Sequence, residues 1–391
     1  MQAAVLQEAK ALLPYMQEVF YQIHSHPELG RQEFQTQALV LAELEKMGIE
    51  AAPIADTGVL GIIRGAKPGK TVAFRADMDA LPIQEETGLP YASKVPNVMH
   101  ACGHDSHVTI LLGAAKMLND RKEDLCGNVK LFFQPDEEGW GGAKRMIEAG
   151  CMENPHVDAA FFGHVAPGYP VGEISMVYGS ASAASNAFTV TFRGKGTHGA
   201  QPHNGTDCIV AASQAVLALQ TISSRRTSPT DSVVVTVGSF QAGEAGNVIP
   251  EEAVLKGMIR TLNPQTREQT KKSFVQILEG IAAAMDVQVD INLREGYAAT
   301  INDDAMTDLV RASAAKLMGE GNVHIVTKPG LGAEDFGYFL QEAPGCKYSL
   351  GVGNPELGYT APVHNPKFVV DTEGLAMGAA LYVTIAEDFL A

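Results

Sequence analysis

Apolar residues at Val5, Leu6, Ala9, Leu12, Leu13, Met16, Val19, Phe20 and Ile23 recur at helical spacing, so the chain opens with an amphipathic helix that stops at His26-Pro27. A second helix is predicted over 33–47, with Gly48 as its stop. Short apolar runs then alternate with helical ones. Strands are predicted at 59–63, 71–77, 129–134 and 159–164, and helices at 105–118 and 142–149. This alternation, punctuated by Gly and Pro, predicts an α/β fold with a mostly parallel, doubly wound sheet. In such sheets ligands collect beyond the carboxyl ends of the strands. Asp77, Asp79, Glu137, Glu138 and His164 all fall at predicted strand ends.

The pattern changes near Ser180. The Ala- and Ser-rich stretch 179–185 reads as a hinge, and the order beyond it is strand 187–192, helix 207–223, strands 232–242 and 252–262, helix 265–285 and strand 288–293. A βαββαβ order resembles a ferredoxin-like domain. Helices at 305–318 and 372–389, with strands at 324–327 and 348–351, then return to the first sheet. The predicted architecture is a catalytic domain of residues 1–183 and 295–391, interrupted by an inserted ferredoxin-like domain at 184–294.

Composition narrows the functional classes. A chain of 391 residues, 46% of them hydrophobic, buries a large core and divides into about two domains. A net charge of −16 argues against nucleic acid or an anionic membrane as partner, because both require a cationic face. No window reaches the roughly 18 apolar residues of a spanning helix, and the first residues lack the basic and apolar regions of a signal peptide. Five scattered cysteines do not form a disulfide framework, so a reducing cytoplasm is expected.

The chemistry concentrates in His100-Ala101-Cys102-Gly103-His104-Asp105-Ser106-His107. A thiol and an imidazole two residues apart suit Zn²⁺ or Mn²⁺. Asp105 reads as a helix N-cap, which would place both ligands at the positive end of that helix and favour the thiolate. The competing readings are a buried free cysteine beside surface histidines, or a nucleophilic cysteine with a histidine base. A second cluster, Gln134-Pro135-Asp136-Glu137-Glu138-Gly139, follows a buried-looking strand. Adjacent acids are often only a solvated face. Here one carboxylate can hold a metal while its neighbour carries a proton, the division that metal-assisted amide hydrolysis requires. His164, His364, Asp77 and Asp79 are individually consistent with core, surface or turn roles; jointly they supply the ligand count of a two-metal site.

Several motifs occur in order along essentially the whole chain: His24-Ser25-His26-Pro27-Glu28-Leu29-Gly30, then 75–82, 99–107, 134–142, Gly163-His164-Val165, 194–207, 332–336 and Val363-His364-Asn365-Pro366. In this the chain resembles the metallo-amidohydrolases, a family of bacterial aminoacylases and hippurate hydrolases, N-acetyldiaminopimelate deacetylases and plant auxin-conjugate hydrolases. The resemblance implies a dinuclear centre bridged by Cys102, with His104, Glu138, His164 and His364 as the other ligands and Glu137 as general acid/base. It also implies a dimer interface on the inserted domain, a histidine there that reaches an active site (His198), and substrate contacts from Asn247 and Arg260. Thr197 and Gly199 stand where many relatives have Gly and Ala. Asp136 stands where Ala is common, and its charge beside the base is expected to raise that base's pKa. His100, His107 and His203 are expected to support the site rather than ligate.

The leading functional expectation is therefore hydrolysis of N-acyl-L-amino acids by two divalent ions, Zn²⁺ or Mn²⁺, with Co²⁺ or Ni²⁺ also compatible. His198 and Asn247 would steady the oxyanion, and Arg260 would fork onto the substrate carboxylate. A dipeptidase or aminopeptidase would share this chemistry. A non-catalytic metal-bound interaction protein would have lost the base, and both glutamates are present.

Overall fold

The structure, a computed structural model, describes residues 2–139 and 141–391. The chain forms two units: Met1–Ala181 with Ile301–Pro329 and Asp335–Ala391, and Ser182–Thr300 with Gly330–Glu334.

In the first unit the strands Cys126–Gln134, Lys67–Asp77, Ala159–Pro170 and Gly345–Gly353 lie side by side and parallel. Antiparallel strands Gly58–Arg64 and Glu50–Ile54 extend one margin. At the other, Ile174–Met176 pairs antiparallel with Gly345–Gly353, and Val323–Ile325 completes the eight-stranded sheet. The central strands read as unbroken apolar runs because both of their faces are covered. Phe74, Leu131, Phe133 and Phe161 point into the larger core, against Met16, Phe20, Leu111 and Leu381. Their sequence neighbours Ala73, Phe132, Ala160 and Phe162 point the other way, onto Met146, Phe336 and Phe339.

The first predicted helix is in fact two, Gln2–Ala11 and Leu13–Ser25. Pro14 occupies the first turn of the second; with no N–H and a fixed φ, it suits a helix start and breaks a helix interior. The helix predicted from Asp105 begins at His104, and Gly103, in the left-handed region at φ 85°, takes the cap position. Asp105 lies inside the first turn instead, fully buried, with its carboxylate 2.6 Å from His24 Nδ1. Strand Ala159–Pro170 runs well past His164, which sits within the strand rather than at its end.

In the second unit, four antiparallel strands lie in the order Val233–Ala242, Glu252–Thr261, Ala184–Arg193, Gln288–Glu295. Phe188, Val190, Phe192 and Leu255 face Ala212, Phe274 and Leu278 of the helices Cys208–Leu219 and Pro264–Ala284. This is the ferredoxin-like βαββαβ arrangement. The expected hinge is not a loop: Gly179–Ser182 and the start of Ala184–Arg193 are both extended strand, with the unit boundary between Ala181 and Ser182. Among the described residues no helix is long and apolar enough to cross a membrane.

Both helices of the second unit begin on side-chain caps. Asp207 Oδ1 accepts from Ile209 N and Val210 N at 3.0 and 3.1 Å, and Asn263 does the same for Gln265 N and Thr266 N. Asp207→Ala is expected to destabilise by about 0.5–2 kcal/mol, while Asp207→Asn loses far less. Urea unfolding compares them, and equal midpoints for the two variants would show that the cap contributes nothing.

Candidate metal centre

Gly103 brings the first two ligand candidates together. Its left-handed conformation turns the chain sharply between Cys102 and His104, and a β-carbon there would collide with the Val165 side chain. Cys102 Sγ lies 3.5 Å from His164 Nε2 and 3.3 Å from His364 Nε2, and His364 Nε2 lies 2.9 Å from Glu138 Oε1. His364 reaches this position from a loop residue at φ 63°, anchored by its own N–H on Ala101 O at 2.7 Å. Ligand atoms of Cys102, His104 and His164 all lie within 4.8 Å of one another; so do those of Cys102, Glu138 and His364, and those of His104, Glu137 and Glu138. Cys102 thus belongs to two triplets at once.

Second contacts orient the rings. His164 Nδ1 donates to Val165 O at 2.7 Å, which turns Nε2 toward Cys102. His104 Nδ1 faces Asp79 Oδ1 at 3.2 Å, leaving Nε2 buried without a well-aligned hydrogen bond among the described residues. The buried Oε1 of Glu138 has His364 Nε2 at 2.9 Å. Buried polar atoms seldom go unpaired. A divalent cation is the group this donor set fits: thiol, imidazole and carboxylate together, with a buried imidazole nitrogen that has no hydrogen bond among the described residues.

The electrostatics agree. Burial pushes the Cys102 thiol well up, against the pull of His104. Burial opposes protonation of His104, but Asp77 and Cys102 hold its pKa well above the usual range. His364 is raised chiefly by its hydrogen bond to Glu138. Protons crowd where a cation belongs, and a bound cation deprotonates a coordinating thiol outright.

Asp77 and Asp79 support this set rather than joining the five. Asp77, whose charge burial opposes and Arg75, His104 and His107 stabilise, sits far below the ordinary carboxylate range. His107 bonds Asp77 through Nδ1 and accepts Val165 N–H on Nε2 at 2.9 Å, so it braces the His164 strand. His100 is fully buried, and burial lowers it to about 4, a neutral ring. The Asp136 carboxylate forms an ion pair with Arg145 Nη2 at 2.9 Å, which offsets its charge. Sequence reasoning passed over Arg75, Glu33 and the supporting role of His24. Arg75 carried a visible signal, a charge between Phe74 and Ala76 in an otherwise apolar strand.

The second unit holds the remaining candidates. His198 is exposed on the two-residue strand Thr197–His198, paired with Val248–Ile249. Gly199 N donates to Asn247 O at 2.7 Å, so His198 and Asn247 share one small ribbon. Arg260, on Glu252–Thr261, is half-buried, and its Nη1 has no hydrogen-bond partner among the described residues. Burial lowers its pKa. His203 is exposed in the turn Pro202–Asn204.

Such a fold, with thiol, imidazole and carboxylate donors converging on one point, defines a metal-dependent hydrolase. Residues 73–388 match peptidase family M20/M25/M40, and the chain belongs to that family. It is 40% identical to thermostable carboxypeptidase 1 of Saccharolobus solfataricus over 94% of this chain and 93% of that protein. It is 39% identical to the hippurate hydrolase of Campylobacter jejuni over 96% of each. A crystal structure of a dinuclear metal-binding M20 peptidase from Bacillus subtilis superposes with a TM-score of 0.85 at 33% identity, covering 97% of this chain and 99% of that one. The protein is therefore a metal-dependent amidohydrolase.

Proposed function

We propose that the protein hydrolyses the amide bond of N-acyl-L-amino acids, and that Cys102, His104, Glu138, His164 and His364 are the residues that would hold its two divalent ions. The membership of Cys102 in two ligand triplets carries this reading. When bound, the ions polarise the scissile carbonyl and lower the pKa of coordinated water to about 7. Glu137, nearly buried and beside Glu138 and His104, takes the proton from water and returns it to the leaving amine. His198 and Asn247 steady the oxyanion, and the guanidinium of Arg260, whose Nη1 has no hydrogen-bond partner among the described residues, receives the substrate carboxylate. A mixed thiolate, imidazole and carboxylate set suits Zn²⁺ or Mn²⁺, and Co²⁺ or Ni²⁺ can replace them. A nucleophilic Cys102 is disfavoured, because burial raises its pKa where a nucleophile needs it lowered. Five free cysteines suit a reducing cytoplasm.

The relative named hippurate hydrolase supports an acylated amino acid as substrate; the one named carboxypeptidase supports a peptide. The same centre serves both, and the pocket decides between an acyl chain and a free α-amine. We expect acetyl- and benzoyl-amino acids to be hydrolysed with higher kcat/KM than dipeptides; the reverse order would make the protein a peptidase. Glu137→Gln is expected to lower kcat by about 10²–10⁴-fold with metal retained, and Glu138→Gln to lose metal. Exchanged phenotypes would reverse the two roles.

Chelation is expected to abolish turnover, with Mn²⁺, Co²⁺ or Zn²⁺ restoring it. In Cys102→Ser a neutral hydroxyl replaces an anionic soft ligand, so elemental analysis should find fewer than two ions per chain. Unchanged metal content and affinity would remove Cys102 from the centre.

We further propose that residues 184–294 form a lid that dimerises and supplies His198 to the partner subunit's ions. The helix Cys208–Leu219 leaves Ile209, Val210 and Leu217 exposed, Leu217 at 74%, and Val233–Ala242 is an unpaired sheet edge. Both features suit a second copy related by a two-fold axis. Mixing His198→Ala chains with Glu137→Gln chains then yields heterodimers in which one site holds both intact residues. Recovered activity is the expected outcome; verified heterodimers without activity would place His198 on its own chain's site or outside the reaction.

A further inference from the structure

The turn that carries Glu137 belongs to no helix or strand. It leaves the strand Cys126–Gln134 at Pro135 and meets the helix Gly142–Glu148, so something else must fix the direction of its side chains. Two buried carboxylates do so from below. Asp136 N donates to Glu33 Oε1 at 2.8 Å, and Glu138 N donates to Asp79 Oδ2 at 2.9 Å, one grip on each side of Glu137. Asp136 O accepts from Gly141 N and Gly142 N, both at 3.2 Å.

Asp136 itself is held in the left-handed region at φ 57°, unusual for a residue with a β-carbon. The Glu33 bond on its N–H and the Arg145 pair on its carboxylate hold it there. Its Oδ1 lies so close to Gly30 and Gly139 that a methyl group on either would collide with it. Glu33 is well placed as an anchor. It is fully buried at the N-cap of the helix Phe34–Lys46, and its other oxygen accepts from Thr57 Oγ1 at 2.6 Å, beside the strand Gly58–Arg64. Thr57 and Glu33 thus join the turn to two rigid elements of the same unit.

We propose that Glu33 is a positioning residue for the reaction: its grip on the Asp136 N–H sets the direction in which Glu137 projects. This rests on the reading of Glu137 as the general acid/base. Reach matters here, not charge. Oε1 accepts the Asp136 N–H in either protonation state, and the Thr57 hydroxyl can donate to or accept from the second oxygen. A glutamine side chain satisfies both partners. An aspartate keeps the charge and falls short by one methylene.

The test uses the metal-loaded full chain with an N-acetyl amino acid, comparing Glu33→Ala, Glu33→Asp and Glu33→Gln. A misplacement of about 1 Å costs on the order of 10²-fold in rate. Glu33→Ala and Glu33→Asp are therefore expected to lose roughly 10- to 100-fold in kcat, with KM little changed and two ions per chain by elemental analysis. Glu33→Gln is expected to keep most of kcat. If Glu33→Ala does not fold, the Asp and Gln variants carry the comparison alone. Combined with Glu137→Gln, Glu33→Asp should lower the residual rate no further, because residues acting as one unit are not additive. Normal kcat in Glu33→Asp, loss of kcat in Glu33→Gln, or a fall that multiplies with that of Glu137→Gln would each overturn the proposal. Full kcat in Glu137→Gln would instead overturn the proposed function, a result separable from any obtained with Glu33.

Discussion

The guanidinium of Arg75 is the charge on which the site is built. Fully buried, it bonds Asp77 Oδ2 at 2.6 Å, Gln134 Oε1 at 2.9 Å and Asp335 Oδ1 at 2.8 Å, and it lies 4.2 Å from the centre of the Phe162 ring. Each partner leads to a different part of the centre. Asp77 aligns His107 and lies 3.4 Å from His104; Gln134 is the last strand residue before the turn of Glu137; Asp335 accepts from Ala143 N at the start of the following helix. Removing one member of a buried ion pair leaves the other uncompensated, at a cost of about 3–5 kcal/mol. Arg75 therefore couples the stability of the sheet to the geometry of the ligands.

Around that charge the imidazoles are sorted by their neighbours. His24, between Asp105 and Glu85, is raised to about 9 although burial opposes it, so it is a cation at neutral pH. His100, equally enclosed but without a hydrogen-bond partner among the described residues, is lowered by burial to about 4. Asp136 is compensated by Arg145, and Asp77 by Arg75 and two histidines. Glu138, nearer Cys102, is met by His364 at 2.9 Å. A chain with net charge −16 can concentrate acids at one site only if most are neutralised locally, and this one does so with few basic groups.

The two units answer different demands. In the first, helices cover both faces of the central strands, and the candidate ligands come from the start of one helix, the middle of a strand, the turn after another strand and a loop. In the second, a smaller core supports polar residues on a short ribbon and an exposed helix face. The first arrangement holds its side chains in fixed positions; the second leaves polar and apolar groups accessible at its surface.

Strand and helix order were legible in the apolar periodicity because a doubly covered sheet leaves continuous hydrophobic runs, and the ferredoxin-like unit was legible in its alternation. The chemistry of Cys102, His104, Glu137 and Glu138 was legible because these residue types cluster locally. The margin strands Glu50–Ile54 and Ile174–Met176 were not, since they are short and ordered chiefly by their neighbours. The break at Pro14 was visible in principle, but periodicity that continues across a proline hides it. His164 and His364 acquire their arrangement about Cys102 only when the strand Ala159–Pro170 and a distant loop meet the Gly103 turn. The compensation of Asp136 by Arg145, the neutrality of His100 and the grip of Glu33 on Asp136 also lie beyond the sequence. By itself the sequence determined which elements form and which chemistry is present, because both follow from local pattern and residue type. Tertiary structure alone decided which charges are paired and which polar atoms remain for a cation, because burial and Coulomb interactions depend on distance in space.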